Sequence, residues 1–124
     1  MVRRNITSWA LVIMVAVIAA PDLGWAGNAR ENYRLYCVQC HGSEGTGGGI
    51  NNAAGGLAVS PRDHTNAGEM SKLSNEDIRL AIAKGGDAVS KSELMPPWGE
   101  VLSEKEIDEL VFYLRQLCGC EGKK

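Results

Sequence analysis

An all-α domain built on three main helices is the fold that this 124-residue sequence predicts, and three observations predict it. Two segments open with the same device, a serine cap with an acidic residue three positions on and apolar residues at the staple positions. Apolar residues recur at three- and four-residue spacing in three separate stretches. No stretch alternates long enough for a strand, the nearest being the brief Leu57 to Val59.

The chain opens with a segment that stands apart from the fold. Arg3 and Arg4 precede the apolar run Trp9–Ala20, and Gly24-Trp25-Ala26 supplies small residues suited to a cleavage site. Residues 1–26 are expected to be a signal peptide cut after Ala26, leaving one domain over residues 27–124. The apolar run falls short of the roughly 20 residues that span a bilayer. The mature protein is therefore expected in the periplasm, meeting a membrane only through an uncleaved N-terminus or a membrane complex. The full chain carries 13 Lys/Arg and 15 Asp/Glu, and losing Arg3, Arg4 and Asp22 leaves an excess of about three negative charges. So mild an acidity keeps the domain soluble and argues against nucleic acid or a lipid surface as partner.

The first helix is expected from about Ala29 to His41, with Asn28 as N-cap, Glu31 in its first turn, and Tyr33, Cys37 and Cys40 on one face. Gly42 ends it. Residues 42–56 hold seven glycines and the pair Asn51-Asn52, so they read as loop. The second helix follows Ser74, whose hydroxyl caps it while Asp77 closes the box and Leu73 staples to Ile78. Its buried stripe is Ile78, Ala81 and Ile82, and Gly85-Gly86 stops it. Asp87 to Glu100 reads as irregular, because Pro96 and Pro97 supply no backbone donors and push Met95 out of helical geometry. The third helix repeats the device with Leu102, Ser103, Glu106 and Ile107. Its stripe of Ile107, Leu110, Val111, Leu114, Leu117 and Cys118 keeps helical spacing throughout.

Chemistry enters at Cys37-Val38-Gln39-Cys40-His41, a C-x-x-C-H sequence. Near a helix end, two cysteines three residues apart face one side and can form thioethers with the two vinyl groups of one porphyrin edge, while the adjacent histidine reaches the iron. This is the attachment sequence of c-type haem. A thioredoxin-like redox pair needs a βαβ setting that is missing. Zinc needs two more ligands, which only the remote Cys118 and Cys120 would supply. A single haem c, held covalently by Cys37 and Cys40 with His41 as axial ligand, is expected. The apolar side chains look thin for a domain of this size, and a large flat cofactor supplies the missing core volume. The fold predicted in full is thus three main helices wrapped around one covalently bound haem. A cofactor attached after crossing the membrane favours unfolded export by the general secretory route over the twin-arginine route at which Arg3-Arg4 hints.

The sixth ligand separates electron transfer, which favours a filled position, from catalysis or gas binding, which need an open one. Only Met70 and Met95 remain after cleavage. Met95 lies 54 residues after His41 in the loop stiffened by Pro96 and Pro97, where its thioether can be held over the opposite haem face. Met70 reads as a surface or core-edge residue, and His64, beside Asp63, as part of a polar loop surface. Both stay open as rival ligands; a His64 ligand would lower the potential relative to Met95.

Taken together, C-x-x-C-H after a first helix, Met95-Pro96-Pro97 in a late loop, and a closing helix reading Leu110-Val111-Phe112-Tyr113-Leu114-Arg115 resemble the class I bacterial monohaem cytochromes c, over nearly all of residues 28–118. The resemblance implies that Ala29 and Tyr33 of the first helix meet Leu110 and Tyr113 of the last. It also implies a proline carbonyl, here that of Pro61, accepting the other ring proton of the haem-binding histidine. It implies a small cytochrome c fold with His41 and Met95 as the axial pair, and a carrier of single electrons rather than an enzyme. Its redox donor and acceptor would dock transiently at the exposed haem edge near Cys37 and Cys40. Two further roles are expected as alternatives: a haem-bearing electron-transfer subunit of a larger respiratory complex, and a gas sensor or peroxidase-like enzyme.

Cys118-Gly119-Cys120 departs from that family pattern. A local C-x-C disulfide, a disulfide to another chain, or a buried Cys118 beside a free Cys120 all fit the sequence, Cys118 having a packing role as the last member of its stripe.

Overall fold

The computed structural model describes residues 24–53 and 55–124, with side chains from residue 28 onward. All but the last three residues of the expected signal peptide lie outside the described residues. Helix α1 (Gly24–Tyr36) is followed by the short helices α2 (Val38–His41), α3 (Ile50–Ala53) and α4 (Ala67–Met70). Helix α5 (Asn75–Lys84), a 3-10 turn at Asp87–Val89 and helix α6 (Glu104–Cys118) complete the chain. The three main helices are α1, α5 and α6, and the described residues contain no strand. No helix among them is long and apolar enough to cross a membrane.

Both capping boxes form as their sequences dictate. The Ser74 hydroxyl accepts from the Asp77 N–H at 3.0 Å while Asp77 accepts from the Ser74 N–H at 2.8 Å. Ser103 and Glu106 repeat the exchange at 3.3 and 2.9 Å. Each box satisfies donors that a helix start leaves without an intrahelical partner. The first helix differs from expectation at both ends. It begins at Gly24, so Asn28 lies inside it rather than at its cap. A cap acts only where the preceding chain leaves helical geometry, and residues 24–27 continue the helix instead. At the other end a turn at Cys37 separates α1 from α2. Inside the glycine-rich segment expected to be loop, α3 forms one helical turn.

The principal packing is α1 against α6. Ala29 and Tyr33 of α1 and Leu110 of α6 are almost wholly buried. The Tyr33 ring lies 5.3 Å from that of Tyr113, so the two aromatic residues implied by the family resemblance meet at this crossing, and Ala29 and Leu110 are buried with them. Ile78 and Ile82 of α5 and Leu102, Ile107, Val111, Leu114 and Cys118 extend the same core. Met70 joins them at 1% exposure, which corrects its expected place at the surface or core edge. Asn66 caps α4 by accepting from the Glu69 N–H, and that short helix carries Met70 into the core.

Helix α6 ends at Gly119, which takes the left-handed conformation at φ +57° that glycine adopts without a Cβ penalty. Cys118 and Cys120 are joined in a disulfide across it. This selects the local bridge from the three arrangements open in the sequence, and corrects the expectation of a disulfide partner on another chain. The tail then folds back, with the Lys123 N–H donating to the Ser71 carbonyl at 3.0 Å. From α6, Arg115 donates to the carbonyls of Met70 at 2.8 Å and Leu73 at 2.7 Å, and to Asn75 Oδ1 at 2.9 Å. One guanidinium thereby ties the last helix to the link between α4 and α5.

Candidate functional site

A cavity of about 630 Å³ lies at the centre of this arrangement, lined mainly by apolar atoms. Its size falls within the range of cofactor sites, roughly 300–1,000 Å³. Tyr33, Cys37, Cys40 and His41 line it from α1 and α2, Ile78 and Ile82 from α5, Met95 from the late loop, and Leu110 and Leu114 from α6. All four sequence-predicted site residues therefore border one space. Both rival ligands, His64 and Met70, border it too.

A turn at Cys37 separates α1 from α2, and both cysteines border the cavity. The Cys37 N–H still bonds the Tyr33 carbonyl at 2.9 Å, and the His41 N–H the Cys37 carbonyl at 2.9 Å. Both thiols are free. Burial, followed by the neighbouring Cys40, pushes the Cys37 thiol up to about 12, so it stays a neutral thiol in this apolar site. Gly49 packs directly on this turn. A Cβ there would press on the carbonyls of Gln39 and Cys40, so only glycine permits the approach.

His41 ends α2, immediately before the glycine-rich loop. Its Nδ1 lies 3.0 Å from the carbonyl oxygen of Arg62, to which it donates, leaving Nε2 as the lone-pair nitrogen. The acceptor is thus Arg62 and not Pro61, the residue implied by the resemblance. The Pro61 carbonyl lies instead against Gly47, whose φ of +84° and missing side chain make room for it. Burial lowers the affinity of His41 for a second proton, which keeps the imidazole neutral and able to bind a metal.

His64 is buried, at 7% exposure, where a polar loop surface was expected. Its flanking residues explain the difference. Asp63 Oδ1 accepts from both the N–H and the hydroxyl of Thr65, at 2.8 and 2.6 Å, so the polar neighbours are satisfied in a local turn. The ring between them turns inward. It stacks on His41 with centroids 4.2 Å apart and planes 19° apart, and its Nδ1 lies 3.0 Å from the Tyr33 hydroxyl. Burial, followed by the proximity of His41, depresses His64 to about 3, so its ring is neutral and shares this hydrogen bond with the tyrosine hydroxyl as an uncharged partner. Two rings in face contact leave no space for a porphyrin and its iron between them. This geometry disfavours His64 as the partner of His41 across a haem.

Met95 is held through its backbone. Its carbonyl accepts from the Gly86 N–H at 3.0 Å, and its N–H donates to the Ser92 carbonyl at 3.2 Å. Beyond the two prolines, the N–H groups of Trp98 and Gly99 bond the carbonyls of Ile82 at 2.9 Å and Ala83 at 3.0 Å. The loop therefore hangs from the last turn of α5, using carbonyls that a helix end leaves free. The Trp98 ring packs on Tyr36 at 4.9 Å and joins the loop to α1. Gly86 is required because the Ser92 carbonyl occupies the place of its Cβ.

These donors suit haem c: two free thiols, an imidazole with its outer nitrogen already engaged, a thioether, and apolar walls. Zinc loses its expected second pair of ligands, since Cys118 and Cys120 are bonded to each other. Among the described residues no group of three His, Cys, Asp or Glu is placed to hold a metal ion on its own. An all-α domain that gathers such a donor set around a cavity of this size has the construction of a c-type cytochrome.

The chain belongs to the family described as cytochrome C oxidase, cbb3-type, subunit III, whose profile matches residues 26–114. It carries covalently bound haem c and serves haem-based electron transfer. Among solved structures it is similar to the KustC0563 c-type cytochrome, at 28% identity and a TM-score of 0.57, over 72% of this chain and 95% of that one. It is also similar to a chain of the Kuenenia stuttgartiensis reducing HAO-like protein complex Kustc0457/Kustc0458, at 26% identity and a TM-score of 0.62. That match covers 79% of this chain and 46% of that one. No curated protein matches the sequence.

Sequence reasoning missed Arg62, whose carbonyl holds His41, and Arg115, which ties α6 to the link between α4 and α5; it weighed His64 as a rival ligand or a polar loop residue and missed its buried place against His41. Arg62 and His64 follow the glycine-rich loop directly, and that proximity to Pro61 was the one available signal. For Arg115 there was none, because its partners lie 40 and more residues away.

Proposed function

We propose that the mature protein, residues 27–124, is an exported periplasmic carrier of single electrons. In this reading one haem is bonded to Cys37 and Cys40, and His41 and Met95 are its axial ligands. The observation that carries it is Met95. The one loop residue with a neutral sulfur donor that the sequence singled out borders the same cavity as His41, on a loop fastened to α5 by backbone hydrogen bonds. A bound haem supplies the one-electron change. The chain's part is to keep both ligands in place in both oxidation states, to exclude water with apolar walls, and to favour ferrous iron with a thioether ligand. Electrons enter and leave at the haem edge near Cys37 and Cys40, where redox protein donors and acceptors dock transiently.

Optical spectra of the oxidised and reduced protein, set beside those of Met95→Ala, test the ligand. A sulfur-to-iron charge-transfer band should be present and should vanish with the substitution; a band that survives it excludes Met95. The reduced native protein should also resist carbon monoxide, and fast binding would assign it to the gas sensors or peroxidase-like enzymes. Mass measurement of the haem-bearing periplasmic protein should give residues 27–124 plus one haem.

A second reading is a haem-bearing subunit of a larger respiratory complex. It is favoured by the description of the family as an oxidase subunit and by the likeness to a chain from the HAO-like complex. Native sizing of gently extracted cells distinguishes the two: a free carrier runs near its own mass, a subunit with its complex.

A further inference from the structure

We infer that His64 is a positioning residue for the haem-binding histidine, an aromatic plate that fixes the plane of the His41 ring, with Tyr33 holding the plate. The inference rests on His41 being an axial ligand. One hydrogen bond restrains an imidazole incompletely. The Nδ1–H of His41 donates to the Arg62 carbonyl at 3.0 Å, but acceptance at a carbonyl oxygen tolerates a broad range of directions. The ring can therefore swing about its Cβ–Cγ bond while keeping that bond. Such a swing drives the ring face toward whatever lies beside it, and what lies there is His64, 4.2 Å away and nearly parallel. Arg62 and His64 thus grip His41 at its edge and on its face from one short segment.

His64 is itself fixed on three sides. Its backbone N–H donates to the Gly45 carbonyl at 2.6 Å, and its Nδ1 is hydrogen-bonded to the Tyr33 hydroxyl at 3.0 Å. Behind it, a Cβ on Gly45 would stand 3.3 Å from the His64 Cβ and 3.4 Å from the Tyr33 hydroxyl, so no slack remains. Tyr33 is in turn almost wholly buried and seated on Tyr113 of α6. The orientation of the His41 ring is thereby referred to the α1–α6 crossing, the principal helix packing among the described residues. Such a support around a metal ligand fixes its orientation and tunes the metal.

The orientation of an axial imidazole plane governs how unpaired spin spreads over an oxidised haem, and hence the spread of the haem methyl resonances. In the oxidised holoprotein, His64→Ala should change that spread and shift the reduction potential. His64→Phe and Tyr33→Phe each keep a ring beside His41 and lose the same hydrogen bond, so both should give a spread between those of the native protein and His64→Ala. An unchanged spread in His64→Ala overturns the inference, as does a His64→Phe protein indistinguishable from His64→Ala. Should these variants fail to fold, the native reduced protein gives the answer: magnetisation transfer between the His41 and His64 ring protons is expected, and its absence overturns the plate. The spectrum of the native protein separates the two levels. Hyperfine-shifted His41 ring protons establish the ligand independently of His64, while their absence removes the ligation and the inference with it.

Discussion

Replacing Arg115 with alanine should destabilise the domain by about 2–3 kcal/mol. Arg115 donates to two backbone carbonyls, those of Met70 and Leu73, and to the side chain of Asn75. A hydrogen bond from a charged group is worth about 1.5–3 kcal/mol, but Arg115 is half-buried and water can reach part of what the substitution uncovers. The two carbonyl bonds, so discounted, contribute about 1 kcal/mol each, and the exposed Asn75 bond adds a few tenths. For a domain of this size about 1 kcal/mol corresponds to roughly 4–8 °C in Tm, so a fall of about 10–20 °C is expected by far-UV circular dichroism. Arg115→Lys should recover less than half, because an ammonium lacks the planar fork that reaches both carbonyls at once. A Tm for Arg115→Ala within a degree or two of native would refute the clamp. A full recovery by lysine would show that charge alone, and not the geometry of the fork, holds the link between α4 and α5.

Leu110→Ala, at the most buried point of α6, should cost about 2–5 kcal/mol and lower the denaturant midpoint with little change in slope. Gly49→Ala places a Cβ against the carbonyls of Gln39 and Cys40, so the haem-to-protein ratio of purified material should fall while expression of the apoprotein is kept. Asp77 and Glu106 are held below their ordinary carboxylate values, 3.8 and 4.5, chiefly by hydrogen bonds from the backbone of Ser74 and Ser103. The unfolded chain therefore takes up protons first. The stability that these boxes add is complete above the ordinary values and is lost as the pH falls through the lowered ones. Asp77→Asn with Glu106→Gln should flatten the acid limb of the stability curve, whereas Ser74→Ala with Ser103→Ala, which keep the backbone donors, should cost about 1 kcal/mol per cap at neutral pH and leave most of the acid limb in place. The thiols of Cys118 and Cys120 should resist alkylation until reductant is added, and then gain two labels, with no change in the haem spectrum.

What was legible in the sequence was legible because its physics is local. Ser74 with Asp77 and Ser103 with Glu106 each complete their exchange within four residues, so both helix starts could be placed without knowing the fold. Cys37, Cys40 and His41 are a geometric unit for the same reason. Met95 was found through the stiffness of its own prolines, although the bonds that hold its loop reach back to Ile82 and Ala83. The start of α1 escaped because a cap signal at Asn28 says nothing about whether the preceding chain is already helical. The burial of His64 escaped because its neighbours in sequence, Asp63 and Thr65, are polar, whereas its neighbours in space are Tyr33 and His41, 31 and 23 residues earlier. No periodicity reports a ring turned inward from a polar turn.

The two candidate ligands are held by different means, and the difference bears on how an electron carrier is built. On one side, His41 is fixed through its side chain, at its edge by the Arg62 carbonyl and on its face by His64. On the other, Met95 is fixed through its main chain, by Gly86, Ser92 and the α5 carbonyls beyond the prolines, and no hydrogen bond from the described residues reaches its side chain. A thioether is a weak acceptor and cannot be oriented by hydrogen bonds as an imidazole can. Rigidity on that side must therefore come from the loop. The same reasoning ranks the substitutions. Exchanging Gly86 for alanine, which pushes on the Ser92 carbonyl, should loosen the methionine and leave His41 ligation intact, so that the charge-transfer band weakens while the histidine resonances stay in place. Truncating His64 should do the reverse. A Gly86→Ala protein that disturbs the His41 resonances as much as the sulfur band would mean that the two sides are one mechanical unit, and that Trp98 on Tyr36 transmits strain between them.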